Sequence, residues 1–72
     1  MLTNHIKVDA RGVSCPQPVL MAKQAIAGNP FLVEICVDNS TARGNVERFL
    51  KSAGYTVETI NNSYEFIITA RK

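Results

Sequence analysis

Val8–Ile26 reads VDARGVSCPQPVLMAKQAI, and how this stretch divides into elements decides the fold. Its first residues belong to HIKVDA, residues 5–10, where Ile6 and Val8 alternate with Lys7 and Asp9 at the period of a short strand. From Pro16 to about Ala27 the spacing becomes helical. Val19, Met21, Ala22, Ala25 and Ile26 share one side of a 3.6-residue wheel, and Gln17, Leu20, Lys23 and Gln24 share the other. Between the two periods lies a polar turn that ends in Cys15, flanked by Ser14 and Pro16. Gly28, Asn29 and Pro30 then stop the helix, since glycine and a following proline cannot extend it.

Downstream, FLVEICV (residues 31–37) reads as a second strand. Phe31, Val33, Ile35 and Val37 would face the core, with Leu32, Glu34 and Cys36 opposite. DNST (38–41) supplies capping side chains, and Val46, Phe49, Leu50 and Ala53 follow at i, i+3, i+4 and i+7. Gly54 stands where a C′ residue belongs, while Gly44 weakens the early helix by about 1 kcal/mol relative to alanine. YTVETI, the turn NNS, and YEFIITA form a closing hairpin.

The order is β-α-β-α-β-β. Each helix has one apolar face, which predicts an α/β (α+β) two-layer sandwich: a four-stranded mixed sheet with both helices on one side. A helix joins the first two strands, so they can run parallel through a right-handed crossover. Their C-terminal ends then share an edge, which brings ARGVSC (10–15) close to DNSTAR (38–43) and aims both helix N-termini at one region.

Composition narrows the function. The 72 residues make one domain, 1–72, and 46% of them are hydrophobic, as in globular chains. Eight basic and six acidic residues leave a charge of +2, too small and too dispersed to argue for nucleic acid or an anionic membrane. No stretch is long enough to span a bilayer, and MLTNHIKVDA lacks the zones of a signal peptide. Two cysteines in such a chain read as reduced thiols, which points to the cytoplasm. FIITARK ends soon after a strand-like run, so both a whole protein and the N-terminal domain of a longer one stay open.

Cys15 falls at or beside a helix N-cap. Pro16 suits the first helical position, and Pro18 is tolerated within the first turn. The helix dipole at that point favours thiolate over thiol, and Arg11 would add positive potential. Gly12 would supply a permissive turn before the cysteine. A cysteine in a small protein is also commonly a buried small hydrophobe, and local chemistry leaves both readings open. Cys36, mid-strand and facing away from the helices, reads as a half-buried strand residue. A Cys15–Cys36 disulfide is disfavoured because the two side chains should leave the sheet on different sides.

His5 is the one histidine and lies far along the sheet from Cys15, which argues against a Cys-His pair. The chain holds no cluster of zinc ligands, no C-x-x-C, and ends Arg-Lys rather than Gly-Gly. Asp9 either ends its strand or orients the loop. Arg11 and Arg43 either meet near Cys15, to receive an anionic partner surface, or stand solvated.

VDARGVSCPQPVLMAKQAI, the element order and VDNSTARGNVERFLKSAGY together resemble the TusA/SirA family of small sulfur-transfer proteins, over nearly the whole chain. The family's hallmark C-P-x-P is here Cys15-Pro16-Gln17-Pro18. The DARG lead-in and NVERFLKSAGY look closest to the YedF-type branch, which is linked to sulfur or selenium metabolism and whose longer members carry a second domain. The resemblance implies that Cys15 carries a persulfide, received from a cysteine desulfurase or similar donor and handed to an acceptor sulfur-relay protein. It implies no metal and no organic cofactor. Gly12, Arg11, Pro16 and Pro18 would support the cysteine, and Leu20, Asn39, Arg43 and Asn45 are candidates for partner docking.

Ser14 stands where tRNA-thiolation members tend to have a basic residue, and Asn45 where they tend to have Asp, which speaks against that specific role. Two other readings compete. One is a non-catalytic regulatory or RNA- or protein-binding module, since the same order resembles the C-terminal domain of translation initiation factor three. Weak charge and few aromatics argue against RNA. The other is a domain serving selenium metabolism through an attached partner domain.

Overall fold

Val33, Ile35 and Val37 are β-branched, alternate along one strand, and are fully buried. They make β2 (Leu32–Val37) the strand around which the core forms. A computed structural model describes residues 5–12 and 17–72. Within them, β2 is preceded by β1 (His5–Asp9) and α1 (Gln17–Ala25), and followed by α2 (Ser40–Ser52), β3 (Thr56–Asn62) and β4 (Glu65–Arg71). The order read from the periodicity is the order found.

The strands lie as β1-β2-β4-β3. β1 runs parallel to β2 with Asp9 opposite Cys36, and β4 pairs antiparallel with both β2 and β3. The sheet is therefore mixed, and β1 and β3 are its edges. One face carries the core: Val33, Ile35 and Val37 of β2 and Ile68 and Ala70 of β4 pack with Ala22 of α1 and Val46 and Leu50 of α2. Each such side chain contributes roughly 1.5–3 kcal/mol on burial. α1 rests on β1 and β2, α2 on β3 and β4, and the helices touch each other. Among the described residues no polar or charged side chain is fully buried. Among the described residues no helix covers the other face of the sheet.

Helix boundaries follow local chemistry. Asn39, with extended backbone, accepts the Ala42 amide on Oδ1 at 2.7 Å and caps α2. At the far end Gly54 takes φ +95°, and the amides of Gly54 and Tyr55 reach back to the carbonyls of Lys51 and Leu50, closing the helix in a Schellman turn. Tyr55 is buried, and its hydroxyl donates to the Pro30 carbonyl at 2.8 Å.

Four expectations shift. α1 ends at Ala25, and Asn29 rather than Gly28 takes the left-handed conformation after it, which asparagine tolerates. Phe31 precedes β2 and is 56% exposed rather than in the core. Ala53 is the C-cap of α2 and is exposed, because the helix has ended where its apolar face would continue. Asn61 and Asn62 extend β3, since Asn62 pairs with Glu65. The hairpin connection is thus Ser63-Tyr64, with Ser63 at φ +49°.

Candidate functional site

Parallel pairing puts the C-terminal ends of β1 and β2 on one edge of the sheet. The contact continues past the strands. The Ala10 amide donates to the Cys36 carbonyl at 2.8 Å, and the Gly12 amide donates to Asp38 Oδ2 at 2.8 Å. Residues 10–12 therefore lie against residues 36–38, as expected for ARGVSC and DNSTAR so far as those residues are described. Gly12 has φ +75°, a conformation that makes glycine the natural occupant. Asp38 also accepts from Asn39 Nδ2 at 3.3 Å, and Asn39 caps α2, so hydrogen bonds run from the turn after β1 to the start of the second helix.

Of the residues assigned to the sulfur chemistry, Cys15 and Pro16 lie outside the described residues. Pro18 is in the first turn of α1, with its ring fully buried. Leu20 is 45% exposed on the outer side of the same helix. Asn39 is a cap, and Asn45 is half-buried beside Arg48, whose Nη1 lies 3.5 Å from its Oδ1.

Arg11 and Arg43 do not form a joint anion-receiving pair. Arg11 grips Asp9 through Nε–Oδ1 and Nη2–Oδ2 contacts of 2.9 Å each, and Nη1 reaches Glu65 Oε1 at 3.1 Å. Asp9 also accepts the Arg11 amide at 3.2 Å, so it both ends β1 and orients the turn. The side-chain bonds from Arg11, then the backbone bond, hold the Asp9 carboxyl down at about 2. Arg43 sits on the helix side instead. Its Nη1 is 3.2 Å from Glu47 Oε1, its guanidinium lies 5.2 Å from the Phe66 ring centroid, and Glu47 in turn accepts from the Thr59 hydroxyl. The sheet separates the two arginines, and carboxylates offset both charges. Asp9 and Glu47 are local partners, but alternation alone could not show the contacts with Glu65 and Phe66, which come from β4. His5 is at the opposite end of β1, 3.3 Å from Glu34 Oε1.

The helix-free face carries a feature that the sequence reading missed. A cleft of about 410 Å³ is lined by Lys7, Asp9, Arg11, Glu34, Cys36 and Glu65. The Cys36 thiol donates to Glu65 Oε1 at 2.8 Å. Burial first, then this carboxylate, pushes the thiol up to about 11. The available signal was the alternation of EFIIT, which puts Glu65 in phase with Ile67 and Thr69 and away from the core. Among the described residues no group of His, Cys, Asp and Glu is arranged to hold a metal ion, and no helix is long and apolar enough to cross a membrane.

Comparison with known proteins agrees with this architecture. The family model described as sulfurtransferase TusA matches residues 6–70. Among solved structures, a SirA-like protein from Desulfitobacterium hafniense superposes with a TM-score of 0.83 at 31% identity, covering 92% of this chain and 95% of that one. No curated protein matches the chain.

Proposed function

The chain belongs to the TusA family of sulfurtransferases, and on that premise we propose that it is a sulfur carrier whose working atom is the sulfur of Cys15. The Cys15 thiolate attacks the terminal sulfur of a donor persulfide, such as that of a cysteine desulfurase. A new sulfur–sulfur bond forms at Cys15 and the donor leaves as its thiolate. A thiolate of the acceptor protein then takes the terminal sulfur, and Cys15 is released as the thiolate it began as. Electrons and atoms balance without a metal or organic cofactor. A cysteine ahead of a helix whose N-terminal dipole favours the anion suits both steps.

The observation that carries this reading is the family match, whose bounds, residues 6–70, include the Cys15 segment and the loops on either side of it. The hydrogen bond from the Gly12 amide to Asp38 supports it, because it ties the turn leading to Cys15 to the loop that opens α2. Arg11 then serves to shape that turn through Asp9 rather than to stand as a free charge. Pro18 stiffens the first turn of α1, and the ring of Pro16 in the sequence just ahead of it would do the same. Leu20 presents an exposed apolar side chain to a partner, and Asn39, Arg43 and Asn45, at the cap and in the first half of α2, are further docking residues. We place the chain nearest the YedF-type branch on the DARG and NVERFLKSAGY segments, and in the cytoplasm on its two cysteines read as reduced thiols.

The test is mass spectrometry after incubation with a cysteine desulfurase and cysteine. The wild-type chain gains one sulfur, roughly 32 Da, and Cys15→Ala gains none. A gain that stays in Cys15→Ala, or maps to Cys36, overturns the reading.

A further inference from the structure

The chain has a second thiol, and sulfur chemistry at two thiols would divide the cargo between two sites. Cys36 is not shielded from small reagents by burial alone. It is half-buried, and it lines the open cleft on the helix-free face. Its surroundings are nonetheless unusual. Sγ donates to Glu65 Oε1 at 2.8 Å, and that same oxygen lies 3.1 Å from Arg11 Nη1. Arg11 faces the same cleft, but its two-pronged contact with Asp9 engages it there, and its pull on the thiol is smaller than the push from burial and Glu65. The cation best placed to stabilise a Cys36 thiolate is thus held by two carboxylates, and the sulfur's own hydrogen-bond partner is an anion.

We propose that Glu65 is a specificity-determining residue that keeps Cys36 protonated, so that sulfur is loaded at one thiol of this protein and not at two. The proposal rests on the sulfur-carrier reading for its purpose, though its chemistry can be tested apart from it. Loading at Cys36 would require its thiolate to attack the terminal sulfur of a persulfide, forming a sulfur–sulfur bond at Cys36 and expelling the donor thiolate. Before that attack the Sγ proton must leave. A carboxylate that accepts the S–H bond favours the protonated sulfur and repels the thiolate.

The other charges facing the cleft do not reverse this. From β1 come Lys7 and Asp9, from the following turn Arg11, and from β2 Glu34; β4 adds Glu65. Three carboxylates thus face two cations, and one of those cations is already paired twice. On β3, Ile60 lies beside Ile67 and brings no charge to that row. Glu65→Gln removes the anion, keeps a hydrogen-bonding side chain, and frees one arm of Arg11 to approach the sulfur.

The experiment is iodoacetamide alkylation of the full chain, with the Cys15 and Cys36 peptides quantified separately by mass spectrometry across pH 7–11. In wild type the Cys36 rate should rise with an inflection well above that of free cysteine. In Glu65→Gln the Cys36 rate at pH 8 should increase about tenfold, as for a fall of one pKa unit, while the Cys15 rate stays as it was. A parallel incubation with glutathione persulfide should add sulfur to the Cys36 peptide in Glu65→Gln and not in wild type. An unchanged Cys36 rate in a folded Glu65→Gln overturns the proposal. If that variant fails to fold, Glu65→Ala decides by the same comparison: an unchanged Cys36 rate, or a wild-type inflection at the free-cysteine position, overturns the proposal, and a rate raised about tenfold upholds it. Absence of sulfur at either thiol in both proteins counts against the carrier reading and leaves the alkylation result to judge Glu65.

Discussion

On the covered face of the sheet, Val33, Ile35, Val37, Ile68 and Ala70 lie beneath two helices with no charged side chain among them. On the open face, the residues between them are Glu34, Cys36, Glu65, Ile67 and Thr69, met by Lys7, Asp9 and Arg11 from the edge strand and its turn. The same strands build both faces, yet the two work differently. On the covered face each side chain contributes through the water it loses, largely independent of which apolar neighbour replaces it. On the open face the state of one residue depends on its surroundings: Arg11 lowers Asp9, and burial with Glu65 beside it raises Cys36. Stability resides on one side, and control of ionisation on the other.

The sharpest way to break this contrast is truncation. Ile68→Ala on the covered face should cost about 2–5 kcal/mol of unfolding free energy in urea titrations. A loss below about 1 kcal/mol would mean that this face is not the core. Asn39→Ala, at the edge where the faces meet, should cost about 1 kcal/mol through the lost cap on the Ala42 amide.

The pH dependence sharpens the other side of the contrast. The folded Cys36 pKa is raised from 9.0 to about 11, so its contribution to stability is complete below about pH 9 and is lost as pH climbs towards 11. Asp9 behaves in the opposite sense. Its folded pKa is lowered from 3.8, so its contribution is present above about pH 4 and disappears as pH falls through about 2. Urea titrations in a pH series should show the alkaline decline in wild type and a reduced one in Cys36→Ala. The smallest effect belongs to Ile60→Ala. That side chain is 60% exposed on the open face, and its loss should change stability by no more than about 0.5 kcal/mol. A larger cost would reveal that the open face also carries apolar packing.

Much of the covered face was legible in advance, because periodicity reports burial. The alternation of LVEICV and the i, i+3, i+4 spacing of Val46, Phe49 and Leu50 marked their inward sides. The errors fell at the ends of elements, where periodicity runs out. Phe31 continues the alternation of β2 without being inside it, and Asn61 and Asn62 look like turn residues yet pair as strand. At the edge holding the proposed site, Gly12 and Asn39 were readable because each answers a local demand, a left-handed φ and a helix cap. Asp38 as the acceptor for Gly12 was not, since its partner is 26 residues away.

The sequence by itself determined the element order, the side of each helix and of β2 that meets the core, and the glycine-containing turn ahead of Cys15. These follow from backbone preference and hydrophobic spacing, which act over a few residues. Only the tertiary structure decided what Arg11 and Cys36 would hold. Glu65 lies 54 residues from Arg11, and it became their shared partner when β4 entered the sheet beside β2. Charge pairing is set by distance in space, and that distance exists only once the strands have found their order.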